Sequence, residues 1–219
     1  ESDAGQRVVV PYLRTLGISR VDMLMVTHRD ADHSGGTASV QSALKVGELR
    51  SSVKELGGES CMAGQHWVWD GVIFEVLHPA FEAYTVNSKS NHISCVLRVT
   101  AGGRRMLLTA DIEAPDEAAL LARYPEDLTA DVLLVPHHGS KTSSTAAFLS
   151  AVGAPSAIIP VGYRSRFGHP KAEVVARYEA LETSLWRTDR DGAVEVRLTK
   201  PGTAVSAWRQ EHRRYWHGR

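Results

Sequence analysis

Apolar residues recur at Val8, Val9, Tyr12, Leu13 and Leu16, a helical spacing over residues 5–16 that Pro11 kinks and Gly17 ends. A short apolar run of buried-strand type, residues 21–26, stops abruptly at Thr27-His28. After Ser34-Gly35-Gly36 a second helical stretch covers residues 37–44, and strands follow near 48–51, 67–69 and 72–78. Residues 81–91 read as a polar loop. Residues 93–100 and 105–109, parted by Ala101-Gly102-Gly103, read as a hairpin. Helices are predicted over 113–124, 144–152 and 171–181, the first with Pro115 in its opening turn. Strands are predicted over 131–136, 157–161, 185–188, 193–198 and 204–208. The pattern predicts a mixed α/β domain over residues 1–208, layered, with a basic and flexible tail over 209–219.

Composition narrows the picture by exclusion. The chain has 219 residues, and 25 Lys+Arg balance 25 Asp+Glu. A neutral chain does not hold nucleic acid by bulk charge alone. No run approaches the roughly 18–20 apolar residues of a membrane span, so no membrane insertion is expected of this chain. Two cysteines, Cys61 and Cys95, make no disulfide framework and no C-x-x-C metal spacing. Ten histidines, several of them grouped, are the conspicuous feature.

The densest group is His28-Arg29-Asp30-Ala31-Asp32-His33, four ligand-type residues in six, directly after a strand. A tight loop there would turn His28 and Asp30 toward one metal ion and Asp32 and His33 toward a second. Imidazole with carboxylate suits zinc or manganese. The plainer alternative is a polar helix entry with Asp32 as N-cap. Two more strands end in the same residue types. Asp111 follows residues 106–109 and is either a carboxylate bridging two ions or a helix N-cap. His137 and His138 follow residues 132–135 and precede Gly139-Ser140. His169, between Gly168 and Pro170, is either a loop residue before a helix or a general acid or phosphate-binding group. His78 reads as structural, and His66, His92, His212 and His217 as surface or locally bonded residues. Arg164, Arg166 and Lys141 give local positive charge, and six Lys against 19 Arg favours the guanidinium, the better phosphate fork. Tyr163 and Phe167 are candidates for stacking against bases.

These motifs resemble those of metallo-β-lactamase-fold hydrolases and, more narrowly, the C-terminal domain of ComEC-type DNA-uptake proteins. The resemblance is carried by H-R-D-A-D-H-S-G-G (residues 28–36), N-x-x-S (91–94), L-L-T-A-D (107–111), D-V-L-L-V-P-H-H-G-S (131–140), G-H-P (168–170) and T-D-x-x-G-A (188–193). It implies an αβ/βα four-layer sandwich with two divalent ions, Zn²⁺ or Mn²⁺. His28 and Asp30 would serve one ion, Asp32 and His33 the other; Asp111 would bridge, and His137 or His138 would complete the shell. Asn91 and Ser94 fall where other members supply a third histidine. Two departures stand out: Ala110 replaces the usual Gly before the bridging Asp, and the opening strands with their D-V-G-Q-G signature are not seen. The reading is therefore of a domain short of its first strands.

The function the resemblance implies is a nuclease that degrades the strand not taken up. Water activated by the two ions would attack the phosphodiester, with Asp32 or Asp111 orienting it and His169 donating a proton or holding the phosphate. Ser140, Lys141, Arg164, Arg166, Asn91 and Ser94 would contact substrate. The expected partners are DNA, as a single strand, and the transmembrane channel part of the same parent protein. The expected location is the outer, periplasmic face of the cytoplasmic membrane. Within the same fold, a phosphocholine esterase or a lactamase is the alternative; outside it, a catalytically silent module that binds DNA or a partner.

Overall fold

The apolar runs become strands as the spacing predicts, and the chain gathers them into two compact units, Glu1–Gln65 with Val76–Cys95, and His66–Glu75 with Val96–Arg219. The computed structural model describes residues 3–85 and 88–214. Among them no helix is long and apolar enough to cross a membrane.

The first unit opens with a π-helical turn, Gly5–Val9, that runs into α1 (Val10–Thr15). Pro11 sits at the junction of the two, where it has no N–H to donate back to the preceding turn. β1 (Arg20–Val26), β2 (Lys45–Ser51) and β3 (Glu59–Ser60) pair in parallel in that order. Parallel neighbours need a crossover, which α2 (Ala31–Ser34) and α3 (Thr37–Ala43) supply between β1 and β2. Val10, Val40 and Leu44 form the buried centre, with Leu13, Val21, Leu24 and Val46 packed against it. The opening helical turn meets the start of α3 glycine on glycine. A Cβ on Gly36 would lie 2.4 Å from Gly5 N, so that crossing admits no side chain. Residues 81–91, read as a loop, contain two 3₁₀ turns, Phe81–Ala83 and Asn91–Ile93, with 86 and 87 outside the described residues.

The second unit carries most of a seven-stranded sheet. Its strands are β4 (His66–Trp69), β5 (Val72–His78), β6 (Val96–Ala101), β7 (Arg104–Leu108), β8 (Val132–Leu134), β9 (Ser156–Ile159) and β10 (Ser184–Arg187). Their order is β10-β9-β8-β7-β6-β5-β4, and the division between units runs through β5 after Glu75. β7 to β10 are parallel, joined by α4 (Ala114–Arg123), α5 (Ala146–Val152) and α6 (Ala172–Ala180). β4–β5 and β6–β7 are antiparallel. The parallel strands are short, nearly continuous apolar runs, and Leu107, Val132, Leu133, Ala157 and Ile159 are almost wholly buried. This is the signature of strands covered on both faces. β11 (Val194–Thr199) and β12 (Gly202–Ala207) form a separate hairpin.

Three expectations need correction. The residues after His28 are not a loop: Ala31–Ser34 is one helical turn, and Asp30 rather than Asp32 precedes it. The basic tail does not start at 209: Trp208–Glu211 is helical, and Arg209 Nη1 donates to the carbonyls of Asp189 and Arg190 at 2.8 and 3.1 Å. Residues 215–219, with His217, lie outside the described residues. The third correction concerns the cysteines: Cys61 and Cys95, both buried, form one disulfide within the first unit. Composition had pointed only to the absence of a framework.

Candidate metal centre

Parallel strands deliver their C-terminal ends to one edge of a sheet, where open α/β folds build sites. In the first unit, β1 ends at Val26 and Thr27 follows with His28, which is fully buried. His28 Nε2 lies 3.9 Å from Asp30 Oδ2, and His33 Nε2 lies 3.9 Å from Asp32 Oδ2. The two imidazole rings are 4.1 Å apart. Thr27 Oγ1 sits 3.1 Å from His28 Nδ1 and 3.3 Å from His33 Nδ1. A hydroxyl oxygen accepts two hydrogen bonds. With both Nδ1–H groups donating to Thr27, both Nε2 lone pairs face the carboxylates, the state a metal ligand requires. Asp30 is still extended (φ −58°, ψ 143°), and the helical turn of α2 that follows it carries Asp32 and His33.

Asn91 and Ser94 belong to the same unit. Asn91 opens a 3₁₀ turn, and Ser94 closes it fully buried, its Oγ without a hydrogen-bond partner among the described residues. The next residue, Cys95, donates its N–H to Thr27 O at 3.0 Å, so the disulfide is anchored beside the first ligand group.

In the second unit, Asp111 follows β7, the histidine pair follows β8 and the His169 loop follows β9. Asp111 is buried, and the residue that caps α4 is Glu113, whose N–H donates to Asp116 Oδ2 at 2.9 Å. Asp111 Oδ2 instead lies 3.5 Å from His138 Nε2 and 3.8 Å from His137 Nε2. His138 Nδ1 is 2.6 Å from Pro160 O. A carbonyl only accepts, so Nδ1 carries the proton and Nε2 is turned to the carboxylate. His137 Nδ1 lies 3.3 Å from both Glu113 Oε1 and Thr142 Oγ1, which fixes that ring in the same sense. Ligand atoms bound at about 2.0–2.2 Å to one ion stand roughly 3–4 Å apart, so this donor set and spacing fit a divalent cation.

The backbone is strained where these side chains are presented. Ala110, His137 and His138 have φ of 48°, 48° and 54°, and His137 N–H donates to Ala110 O at 3.0 Å. Left-handed φ costs a residue with a Cβ about 1 kcal/mol or more. Ala110→Gly is therefore expected to raise stability by about 1 kcal/mol, or roughly 2–4 °C in unfolding midpoint. A thermal melt of the two proteins checks it, and a lower midpoint for the glycine variant refutes the assignment.

Gly139 (φ 79°) completes the turn, and a Cβ there would meet Pro170 Cβ at 2.6 Å. Lys171 N donates to Gly139 O at 2.9 Å. H-H-G-S and G-H-P, separate in sequence, thus meet backbone to ring. His169 lies with its ring 5.9 Å from that of His137 and 6.0 Å from Phe167, nearly parallel to the latter. Its Nδ1 is buried without a hydrogen-bond partner in the structure. Burial first, then the positive charge of Lys171 and the neighbouring His137 and His138, hold its pKa below the usual value for histidine.

Of the other predicted contacts, Lys141, Arg164 and Arg166 are exposed. Ser140 is buried, and its Oγ lies 3.0 Å from Thr142 Oγ1. His78 is buried with Nε2 2.9 Å from His92 O, the structural role expected of it.

Sequence reasoning missed four orienting groups: Thr27, Glu113, Thr142 and Glu117. Thr27 had a signal, since it stands between strand and ligand. Glu117 had none. It is fully buried in α4 and accepts the N–H groups of Ser144 (2.5 Å) and Thr145 (2.8 Å), while Arg177 donates to the carbonyls of Ser143 and Ser144. Burial raises its pKa, against the pull of those hydrogen bonds and of Arg177. This network fixes the loop that carries Thr142 to His137.

The family model of the metallo-beta-lactamase superfamily matches residues 2–163. The chain is 37% identical to the competence protein ComA of Neisseria gonorrhoeae over 97% of its length and 30% of the relative's. It is 35% identical to recombination protein 2 of Haemophilus influenzae (86% and 24%) and 31% identical to ComE operon protein 3 of Bacillus subtilis (88% and 26%). The chain thus spans less than a third of these relatives. Among solved structures, one from Parabacteroides distasonis, titled as a metal-dependent hydrolase, matches with a TM-score of 0.52 at 16% identity, covering 78% of each chain. CmlA, a diiron β-hydroxylase from Streptomyces venezuelae, matches at 0.51 and 10% identity, over 87% of this chain and 45% of that one. At such identities the likeness is of fold alone.

Proposed function

The chain belongs to the metallo-β-lactamase superfamily, and from that premise we propose that it is a metal-dependent hydrolase of DNA phosphodiester bonds, serving DNA uptake. The observation that carries the proposal is the buried Asp111 carboxylate facing Nε2 of His138, whose other nitrogen is held by a backbone carbonyl. The competence-protein relatives support DNA as the substrate.

His28, Asp30, Asp32 and His33 in the first unit, and Asp111 and His138 in the second, are the proposed ligands of divalent ions, Zn²⁺ or Mn²⁺. When bound, such ions would lower the pKa of a bound water and neutralise charge on a phosphoryl oxygen. The chain's own residues do the rest. Asp32 and Asp111, acceptors only, hold a water's proton and so its orientation. His137 supports His169 by ring contact, and the His169 imidazole bonds a phosphoryl or leaving oxygen. Arg164, Arg166 and Lys141 bind flanking phosphates, Arg with two parallel donors. His138, with its carbonyl anchor, is the ligand of the histidine pair. The disulfide is the chemistry of an oxidising compartment, which supports the extracytoplasmic face of the membrane, beside the channel part of a longer parent.

The test is to load the metal-free chain to two equivalents of Mn²⁺ or Zn²⁺ and offer labelled single- and double-stranded DNA. Cleavage that EDTA abolishes is expected. No cleavage at a verified stoichiometry of two overturns the proposal. The same sample assayed on nitrocefin and on a phosphocholine ester reports whether the lactamase or esterase reading should replace it.

A further inference from the structure

The segment after β9 exposes two aromatic rings where a soluble surface ordinarily hides them. Tyr163 is 71% exposed and Phe167 59%. Each carries a guanidinium over its ring: Arg164 Cζ lies 5.3 Å from the Tyr163 centroid, and Arg166 Cζ 4.9 Å from that of Phe167. Two successive turns, Ser165 N to Gly162 O (3.1 Å) and Gly168 N to Ser165 O (3.0 Å), hold both pairs on one short loop. Lys171 Nζ donates to Phe167 O at 2.8 Å, and Phe167 stacks on His169. A row of π faces and cations thus leads from solvent to the histidine beside the candidate ligands.

We propose that residues 163–167 are a reader of unpaired bases, selecting single-stranded over duplex DNA for the site. This rests on the nucleic-acid reading above and deepens it. Tyr163, with Arg164 over its ring, offers a π face to a base and, next to it, a fork for the phosphate that joins that base to the next; Phe167, held between Arg166 and His169, offers its exposed edge beside the second fork. Bases of a duplex are stacked on each other and present no such face; opening a step costs a few kcal/mol. Phosphate contacts alone would take either form of DNA.

The experiment is fluorescence anisotropy of the whole chain in EDTA, with three probes: labelled oligothymidylate, an abasic strand of equal length, and a hairpin duplex. The unsubstituted chain is expected to bind oligothymidylate tightest. Tyr163→Ala and Phe167→Ala should each weaken that binding about tenfold and shift the other two probes by less than about twofold. Tyr163→Trp should restore it. Arg164→Ala and Arg166→Ala should weaken all three and flatten the salt dependence. Thermal melts confirm that each variant is folded. Equal affinity of the unsubstituted chain for the thymidylate and abasic strands, or equal losses on all three probes, overturns the inference. Cleavage with metal is scored separately. A base-reading loop on a chain that cuts no DNA would sink the nuclease reading and leave this one; cutting without base preference would do the reverse.

Discussion

Asp111→Asn is expected to lower metal-dependent hydrolysis at least about a hundredfold. The substitution keeps the side chain's shape and removes its charge. Asp111 is buried, and its Oδ2 is the atom that both His137 Nε2 and His138 Nε2 face. Groups that merely orient ligands are worth about 10–100-fold in metal affinity or activity, so a ligand itself should exceed that range. A second measurement separates a lost ligand from a damaged fold. Metal binding to the native state alone stabilises it, by about 2.7 kcal/mol at a hundredfold excess over the dissociation constant. The unsubstituted chain should therefore melt higher with Mn²⁺ or Zn²⁺ than in EDTA, and the Asn variant should lose most of that rise while matching the parent in EDTA. A variant that retains both the metal-induced rise and activity within threefold of the parent would remove Asp111 from the centre.

Loss of the disulfide should cost the chain about 3–4 kcal/mol of unfolding free energy. Cys61 and Cys95 are 34 residues apart, and closing a loop of that length removes this much chain entropy from the unfolded state. Both positions are buried, so alanine is the fair replacement; serine would add an unpaired hydroxyl. Urea unfolding of the Cys61→Ala/Cys95→Ala chain, beside the parent with and without reductant, gives the number. The effect should also reach the first ligand group. Cys95 N–H bonds Thr27 O, and the Thr27 hydroxyl meets Nδ1 of His28 and His33. Metal affinity should fall with the bridge, even under conditions where the chain stays folded. Two thiols titrating in the native, unreduced protein would contradict the bridge outright.

Legibility in the sequence followed the range of the interaction. The parallel strands were readable because burial on both faces demands a run such as Val132-Leu133-Leu134-Val135, and little else in the chain looks like that. The ligand types were readable because strand ends here carry imidazole and carboxylate in an unusual density. The helical turn at Ala31–Ser34 was not, since a four-residue element leaves no periodicity to detect. Glu117 was invisible for another reason. A glutamate in a helix reads as a solvated face until the loop of Ser144 and Thr145 is folded over it. The partner of His138 Nδ1 was invisible too, since only the fold brings the Pro160 carbonyl beside it.

The sequence by itself therefore determined the alternation of strands and helices, the residue types offered as ligands, and the family resemblance that orders them. Those are properties of local spacing and chemistry, which a chain carries before it folds. The tertiary structure decided which nitrogen of His138 meets the Pro160 carbonyl, which carboxylate caps α4, and that two distant cysteines are joined. Each of these depends on a partner remote in the chain, and a hydrogen bond or disulfide is specified only when both ends have been brought within bonding distance.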